Sequence, residues 1–250
     1  MTARLIKFSI FTALFTAICT LVSAQRKVEF TSEDKILITA DLYETENEVS
    51  DYIILMHQAG YSRGEYKEIG AKLIKLGFNC LAIDLRIGDE VNYVANETAS
   101  RLKGGNKQYS MLDTRQDLNA AIDYIYSIEK KPRIIVFGSS FSASIALMAA
   151  SEDPRIYAAI AFSPGEFFEP DVSVNKSITG LTKPTYIACP RSEYVYIEKL
   201  ISNAQKDNLT VFSPERGDGL HGAKTLWWES ATRNEFWLSL LFFLNDLKKQ

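Results

Sequence analysis

Short, almost uninterrupted runs of apolar, β-prone residues alternate along this chain with longer amphipathic stretches, and no other feature limits its possible folds as strongly. Residues 52–56 and 78–85 are apolar at nearly every position. That is the pattern of strands covered on both faces, since a strand with one wet face alternates instead. Residues 133–137, 157–162, 184–189 and 209–212 repeat the pattern, and near the start residues 28–30 and 36–43 read as a strand pair. Between these runs lie helical patterns. Ser62 and Glu65 fit a capping box ahead of Tyr66, Ile69 and Leu73, with Gly77 as the stop. Leu118, Ala121, Ile122 and Ile125 mark a second helix that ends before Pro132, residues 141–151 form a small-residue helix, and residues 193–205 form another. The last segment, 223–247, carries Trp227, Trp228, Phe236, Trp237, Leu240, Leu241 and Leu244 and is predicted to pack hard against the sheet. The longest irregular stretch runs from residue 86 to about 110. This alternation predicts a single α/β domain over residues 25–250, a mostly parallel sheet with helices on both faces. In such folds the chemistry sits on loops leaving the carboxyl ends of strands.

Residues 1–24 carry a different pattern. Arg4 and Lys7 precede an uncharged apolar run over residues 8–22, and Val22-Ser23-Ala24 supplies the small residues a signal peptidase reads. The run falls short of the roughly 20 residues that a bilayer core requires, so the segment reads as a signal peptide cleaved after Ala24. The product is expected to be exported, periplasmic or secreted, with no stable membrane span after cleavage. Ile18 before Cys19 argues against a lipoprotein. Cys80 and Cys189 lie in apolar, strand-like runs and read as buried thiols rather than a disulfide framework. The sequons at Asn96, Asn175 and Asn208 carry no weight in this reading. A net charge of −3 without Lys/Arg clusters removes the electrostatic basis for binding nucleic acid. No G-x-G-x-x-G follows any strand, which disfavours a dinucleotide site.

The chemistry concentrates at four loops. Ile134 to Ala143 has the form strand, tight turn, small-residue helix, and Gly138-Ser139-Ser140-Phe141-Ser142 matches the nucleophile elbow G-x-S-x-G except at its last position. A helix starting at Ser140 aims its free N–H groups at an oxyanion formed there. Of only two histidines, His221 sits in a glycine-flanked loop straight after the last strand, where a general base can reach Ser140. His57-Gln58-Ala59-Gly60 follows the strand at 52–56, at the place that supplies a second oxyanion amide. Ala59 is assigned that amide beside Phe141, with Gln58 as the alternative, and His57 reads as a hydrogen-bonder that stabilises the turn. Glu193, just beyond the run at 184–189, is the acid that orients His221, in the order Ser, acid, His. Asp218, Asp171 and Glu169 compete for that role. Asp84-Leu85-Arg86 reads as a loop anchor through an Asp–Arg contact, outside the chemistry.

With these residues in place the chain resembles the α/β-hydrolase superfamily, in particular its small dienelactone-hydrolase-like and esterase-like members. The resemblance rests on residues 57–66, Asp84-Leu85-Arg86, Gly138 to Ser142, Phe162-Ser163-Pro164-Gly165 and Leu220-His221-Gly222. It implies an eight-stranded, mostly parallel sheet, and a Ser-His-acid site without metal or cofactor. Three positions depart from the usual pattern: Gln58 where many members have glycine, Ser142 at the end of the elbow, and a Glu rather than an Asp as the acid. Dienelactone hydrolase proper uses a cysteine nucleophile, so its lactone substrate does not carry over to Ser140. Only about 20 residues separate Phe162 from Lys183, where larger relatives insert a cap, so a minimal cap and an open site for a small-molecule ester are expected. The alternatives are a peptidase or amidase of the same fold, and a non-catalytic binding protein that retains it.

Overall fold

The computed structural model describes residues 25–46 and 50–249, so the leader expected over residues 1–24 lies outside the described residues. Eight strands, β1 (Gln25–Thr31), β2 (Leu37–Tyr43), β3 (Tyr52–Met56), β4 (Asn79–Ile83), β5 (Ile134–Ser139), β6 (Ile156–Phe162), β7 (Thr185–Ala188) and β8 (Leu209–Phe212), form one sheet. Its order is β1-β2-β4-β3-β5-β6-β7-β8. Strand β2 runs antiparallel to both its neighbours, and every other pairing is parallel. The helices are α1 (Lys67–Lys75), α2 (Glu97–Leu102), α3 (Arg115–Ile128), α4 (Phe141–Glu152), α5 (Val174–Ser177), α6 (Tyr194–Leu200) and α7 (Arg233–Leu247).

The uninterrupted apolar runs are explained by two cores. Successive strand residues point to opposite faces. Ile54, Val136, Ala159 and Ile187 meet α3, α4 and α6 through Leu118, Ile145 and Ile197. Ile53, Ile135, Ile160 and Tyr186 meet α1 and α7 through Ile69, Leu73, Phe236 and Leu240. Because each central strand is covered twice, no polar position interrupts it. Cys80 and Cys189 are buried free thiols, one in each core. Among the described residues no helix is long and apolar enough to cross a membrane.

The structure departs from the sequence expectations in three places. The stretch after β4 contains α2, which has no apolar stripe. Its N-cap is Asn96, whose Oδ1 accepts from Ala99 N at 2.7 Å, and Thr98 Oγ1 accepts from Thr39 N at 2.9 Å. The helix is therefore fixed at its start by polar contacts, with Ala99 buried and Leu102 packed against the core at its end. Asp84 and Arg86 do not pair with each other. Asp84 accepts from Arg63 Nη1 at 2.5 Å and from the backbone N of Arg63 and Glu97, while Arg86 pairs with Asp117 and Asp34 at 2.7 and 2.8 Å. Both are loop anchors, each drawn to a different neighbour. The last segment is also two pieces, a short turn at Ala223–Leu226 and then α7. Trp227 and Trp237 pin the break by donating to Glu65 O and Leu226 O, whereas Trp228 is 65% exposed rather than packed on the sheet.

Candidate active site

The turn from β5 into α4 is built from small residues because its backbone is crowded. A Cβ at Gly138 would lie 2.1 Å from Ser142 O. Ser140 holds φ 59° and ψ −124°, outside the ordinary regions for an L residue, with its N–H donated to Phe162 O at 2.8 Å. The hydroxyl of Ser142 does work that the usual glycine cannot do. It accepts from Ser139 N at 2.8 Å and donates to Met56 O at 2.7 Å, so it ties the elbow to the end of β3. Tyr66 Oη donates to the same carbonyl at 2.7 Å.

The structure brings His221 and Glu193 to Ser140. His221 Nε2 lies 2.8 Å from Ser140 Oγ, and His221 Nδ1 lies 2.6 Å from Glu193 Oε1. A carboxylate can only accept here, so Nδ1 carries the proton and Nε2 is left to accept from the serine. The competing acids do other things. Asp218 accepts from Ser192 N at 2.7 Å and Ser192 Oγ at 2.9 Å, stitching the histidine loop to the turn that carries Glu193. Asp171 and Glu169 are exposed on the segment after β6. The histidine loop is fixed at its far side as well. Gly222 N donates to Ser163 Oγ at 3.0 Å and Ala223 N to Ser139 Oγ at 2.8 Å. Gly222 is required there, since it has φ 75° and a Cβ would approach Ser139 Oγ to 2.5 Å.

The loop after β3 is held from both ends. His57 is wholly buried. Its Nε2 accepts from Leu85 N at 3.0 Å, which leaves Nδ1 to donate to Gln58 O at 2.8 Å. Burial lowers its pKa to about 4, so the ring stays neutral and serves as a structural hydrogen-bonder. Holding the Gln58 carbonyl also sets the Ala59 N–H, which lies in the same peptide plane and points the other way. Ala59 is exposed and its amide has no partner among the described residues. The Gln58 amide, the alternative oxyanion donor, is already taken: it donates to Glu65 Oε2 at 2.8 Å. This loop can thus offer Ala59 but not Gln58. Phe141 N, the first amide of α4, has no acceptor within its helix.

Glu65 itself is the residue that the sequence hid. Instead of closing a capping box on Ser62, its carboxylate turns inward, wholly buried, and its Oε1 accepts from Ser139 Oγ at 2.7 Å. The Ser62 hydroxyl accepts from Gly64 N and donates to Val94 O. Only a second acid-binding partner far along the chain, Ser139, distinguishes the two roles, and local spacing does not reveal it.

A sequence model of the dienelactone hydrolase family matches residues 38–193. The chain belongs to that family. Solved structures with the same fold include an esterase, Pf2001, from Pyrococcus furiosus, with a TM-score of 0.68 at 20% identity over 89% of this chain and 92% of that one. A dienelactone hydrolase from Anabaena variabilis gives 0.64 at 18% identity over 88% and 94%. The acylaminoacyl peptidase of Pyrococcus horikoshii gives 0.64 at 14% identity, but only 41% of that longer chain is covered. No curated protein matches the chain by sequence. This dienelactone hydrolase family member therefore has the α/β-hydrolase fold, with the elbow and the histidine loop at the positions described above.

Proposed function

We propose that this protein is an exported serine hydrolase of carboxylic esters, with Ser140 as nucleophile, His221 as general base and Glu193 as the orienting acid. The observation that carries this reading is the continuous hydrogen-bonded chain from Glu193 through His221 to Ser140, on an elbow that strains Ser140. Ser140 Oγ attacks the ester carbonyl and forms the new C–O bond as its proton passes to His221 Nε2. Glu193 holds the ring in its working tautomer and supports the imidazolium. The Phe141 and Ala59 amides receive the oxyanion, each worth about 2.7–4 kcal/mol. Collapse expels the alcohol, which takes the proton from His221. Water then attacks the acyl-enzyme by the same route and releases the acid.

Three features support a small, accessible substrate. The His221 side chain is 41% exposed. The segment between β6 and β7 sends Phe168, Val174, Ile178 and Leu181 into the core, and Ser140 itself is only 7% exposed, which leaves little room for a bulky acyl group. Its Phe167 is 40% exposed beside Gly165, which the Tyr196 hydroxyl also approaches. Export rests on the leader read in residues 1–24.

The test is labelling with a fluorophosphonate, alongside turnover of a p-nitrophenyl ester series. Labelling and turnover should both vanish in Ser140→Ala, and short acyl chains should be preferred. An unmutated protein that takes no label would sink the hydrolase reading, and label that persists in Ser140→Ala would move the nucleophile elsewhere.

A further inference from the structure

Glu65 joins the three loops on which the proposed chemistry depends. Its Oε2 accepts from Gln58 N at 2.8 Å, one residue before Ala59. Its Oε1 accepts from Ser139 Oγ at 2.7 Å, one residue before Ser140, and the same Ser139 oxygen accepts from Ala223 N at 2.8 Å, two residues beyond His221. The carboxyl is wholly buried, yet among the described residues no Lys, Arg or His forms an ion pair with it. A buried acid without a cation is costly, and such groups concentrate at functional sites.

We propose, resting on the serine-hydrolase reading, that Glu65 is a positioning residue that works as the anion, clamping the oxyanion loop, the elbow and the histidine loop in register. The donors explain why the anion is the working form. As a carboxylate, Glu65 accepts both Gln58 N–H and Ser139 O–H, and Ser139 remains free to accept from Ala223, so every group is matched. Gln58 N–H can only donate, so an added proton must sit on Oε1 and point at Ser139. The Ser139 hydroxyl then receives two donors and its own proton loses its acceptor. Protonation therefore reverses the Glu65–Ser139 hydrogen bond and leaves the buried Ser139 proton unmatched, which loosens the clamp at the elbow while its other contacts persist.

Geometry and charge agree that this proton moves near neutrality. Burial pushes the Glu65 carboxyl up to about 7, against the hydrogen bonds from Ser139 and Gln58 and the charges of Lys224 and His221. The titratable groups facing it are His221 and Lys224 from the histidine loop and its turn, and Tyr61 and Tyr66 from its own segment. Both tyrosines stay neutral, since burial raises each phenol. Control of the clamp thus falls to Glu65 itself, tuned by the charge on His221.

The deciding experiment compares the unmutated protein, Glu65→Gln and Ser139→Ala. It follows fluorophosphonate labelling, kcat and KM for a short p-nitrophenyl ester across neutral pH, and the carboxylic-acid stretch by infrared difference titration. A glutamine presents its amide to Ser139 and so mimics the protonated acid. Glu65→Gln should lower kcat about tenfold to a hundredfold with KM nearly unchanged, as expected for misplaced rather than missing groups. It should also lose the part of the kcat pH profile that tracks the Glu65 infrared titration, while the part due to the general base His221 persists, and Ser139→Ala should lose most of the same rate. The unmutated protein should show two buried carboxylic acids titrating towards neutrality, Asp117 at about 6 and Glu65 at about 7, and the upper band should be missing from Glu65→Gln. Absence of the upper band from the unmutated protein, or a folded Glu65→Gln with unchanged rates and pH profile, overturns the proposal while fluorophosphonate labelling keeps the hydrolase reading intact. Failure of the unmutated protein to label overturns both.

Discussion

At Ser140 the backbone takes φ 59° and ψ −124° in a residue with a side chain, a conformation that costs about 1–3 kcal/mol and is held by the bonds from Ser140 N to Phe162 O and from Ala143 N to Ser140 O. Ser140→Gly should therefore be more stable than Ser140→Ala by about 1 kcal/mol in urea unfolding, after the looser unfolded chain of glycine is allowed for. Both variants should be inactive. If alanine is the more stable of the two, the strain is absent. One step along the chain of hydrogen bonds, Glu193→Gln keeps the shape of the acid but removes the charge that fixes the His221 tautomer. Turnover should fall on the order of 10³ to 10⁴-fold with folding intact. Asp171→Asn, on the exposed segment after β6, should leave turnover near that of the unmutated protein. The meeting of Ser140, Glu193 and His221 was legible in the sequence because each lies on a loop leaving the carboxyl end of a strand, after β5, β7 and β8 respectively. Glu65 was not, because a Ser-x-x-Glu spacing reads as a local cap and its true partners, Gln58 and Ser139, are identified only by the tertiary structure.

The element that distinguishes this elbow is the joint between β5 and α4. Ser142→Gly would restore the usual motif but would leave Ser139 N without its acceptor and Met56 O with Tyr66 alone. The variant should lose about 1–3 kcal/mol of stability, read from the urea midpoint, because a buried donor is left unmatched. An unchanged midpoint would mean that the hydroxyl contributes nothing. The strands themselves were easy to read, since burial on both faces removes polar interruptions from β3 and β5. Helix α2 was not, because it is fixed at its start by Asn96, Thr98 and Arg63 rather than marked by an apolar stripe. The last segment reads in the sequence as one piece from Ala223, whereas α7 begins only at Arg233. Aromatic density there marks indoles that satisfy backbone carbonyls at a break, as well as side chains packed on the sheet.

For the whole molecule, two buried groups in one small region give stability opposite dependences on pH. His57 binds a proton near its ordinary 6.5 when unfolded but only near 4 when folded, so the native state loses stability as pH falls through that window. Glu65 releases its proton near 4.5 when unfolded and holds it to about 7 when folded, so the native state loses stability as pH rises between those values. Urea unfolding across this range should lose its acid-side slope in His57→Gln, and Glu65→Gln should remove the opposing slope between about 6 and 7, below which the raised Asp117 carboxyl contributes in the same direction. Parallel curves for all three proteins would contradict these assignments.

Trp227 stacks on Tyr61 at a ring separation of 6.2 Å and donates its indole N–H to the backbone of Glu65. It therefore bridges the seam between the loop carrying Ala59 and the turn that follows His221. Indole emission depends on polarity and on neighbouring rings, so the seam contains its own optical gauge. In a protein carrying Trp228→Phe and Trp237→Phe, the remaining fluorescence would register the two loops parting or closing in real time, with no added dye.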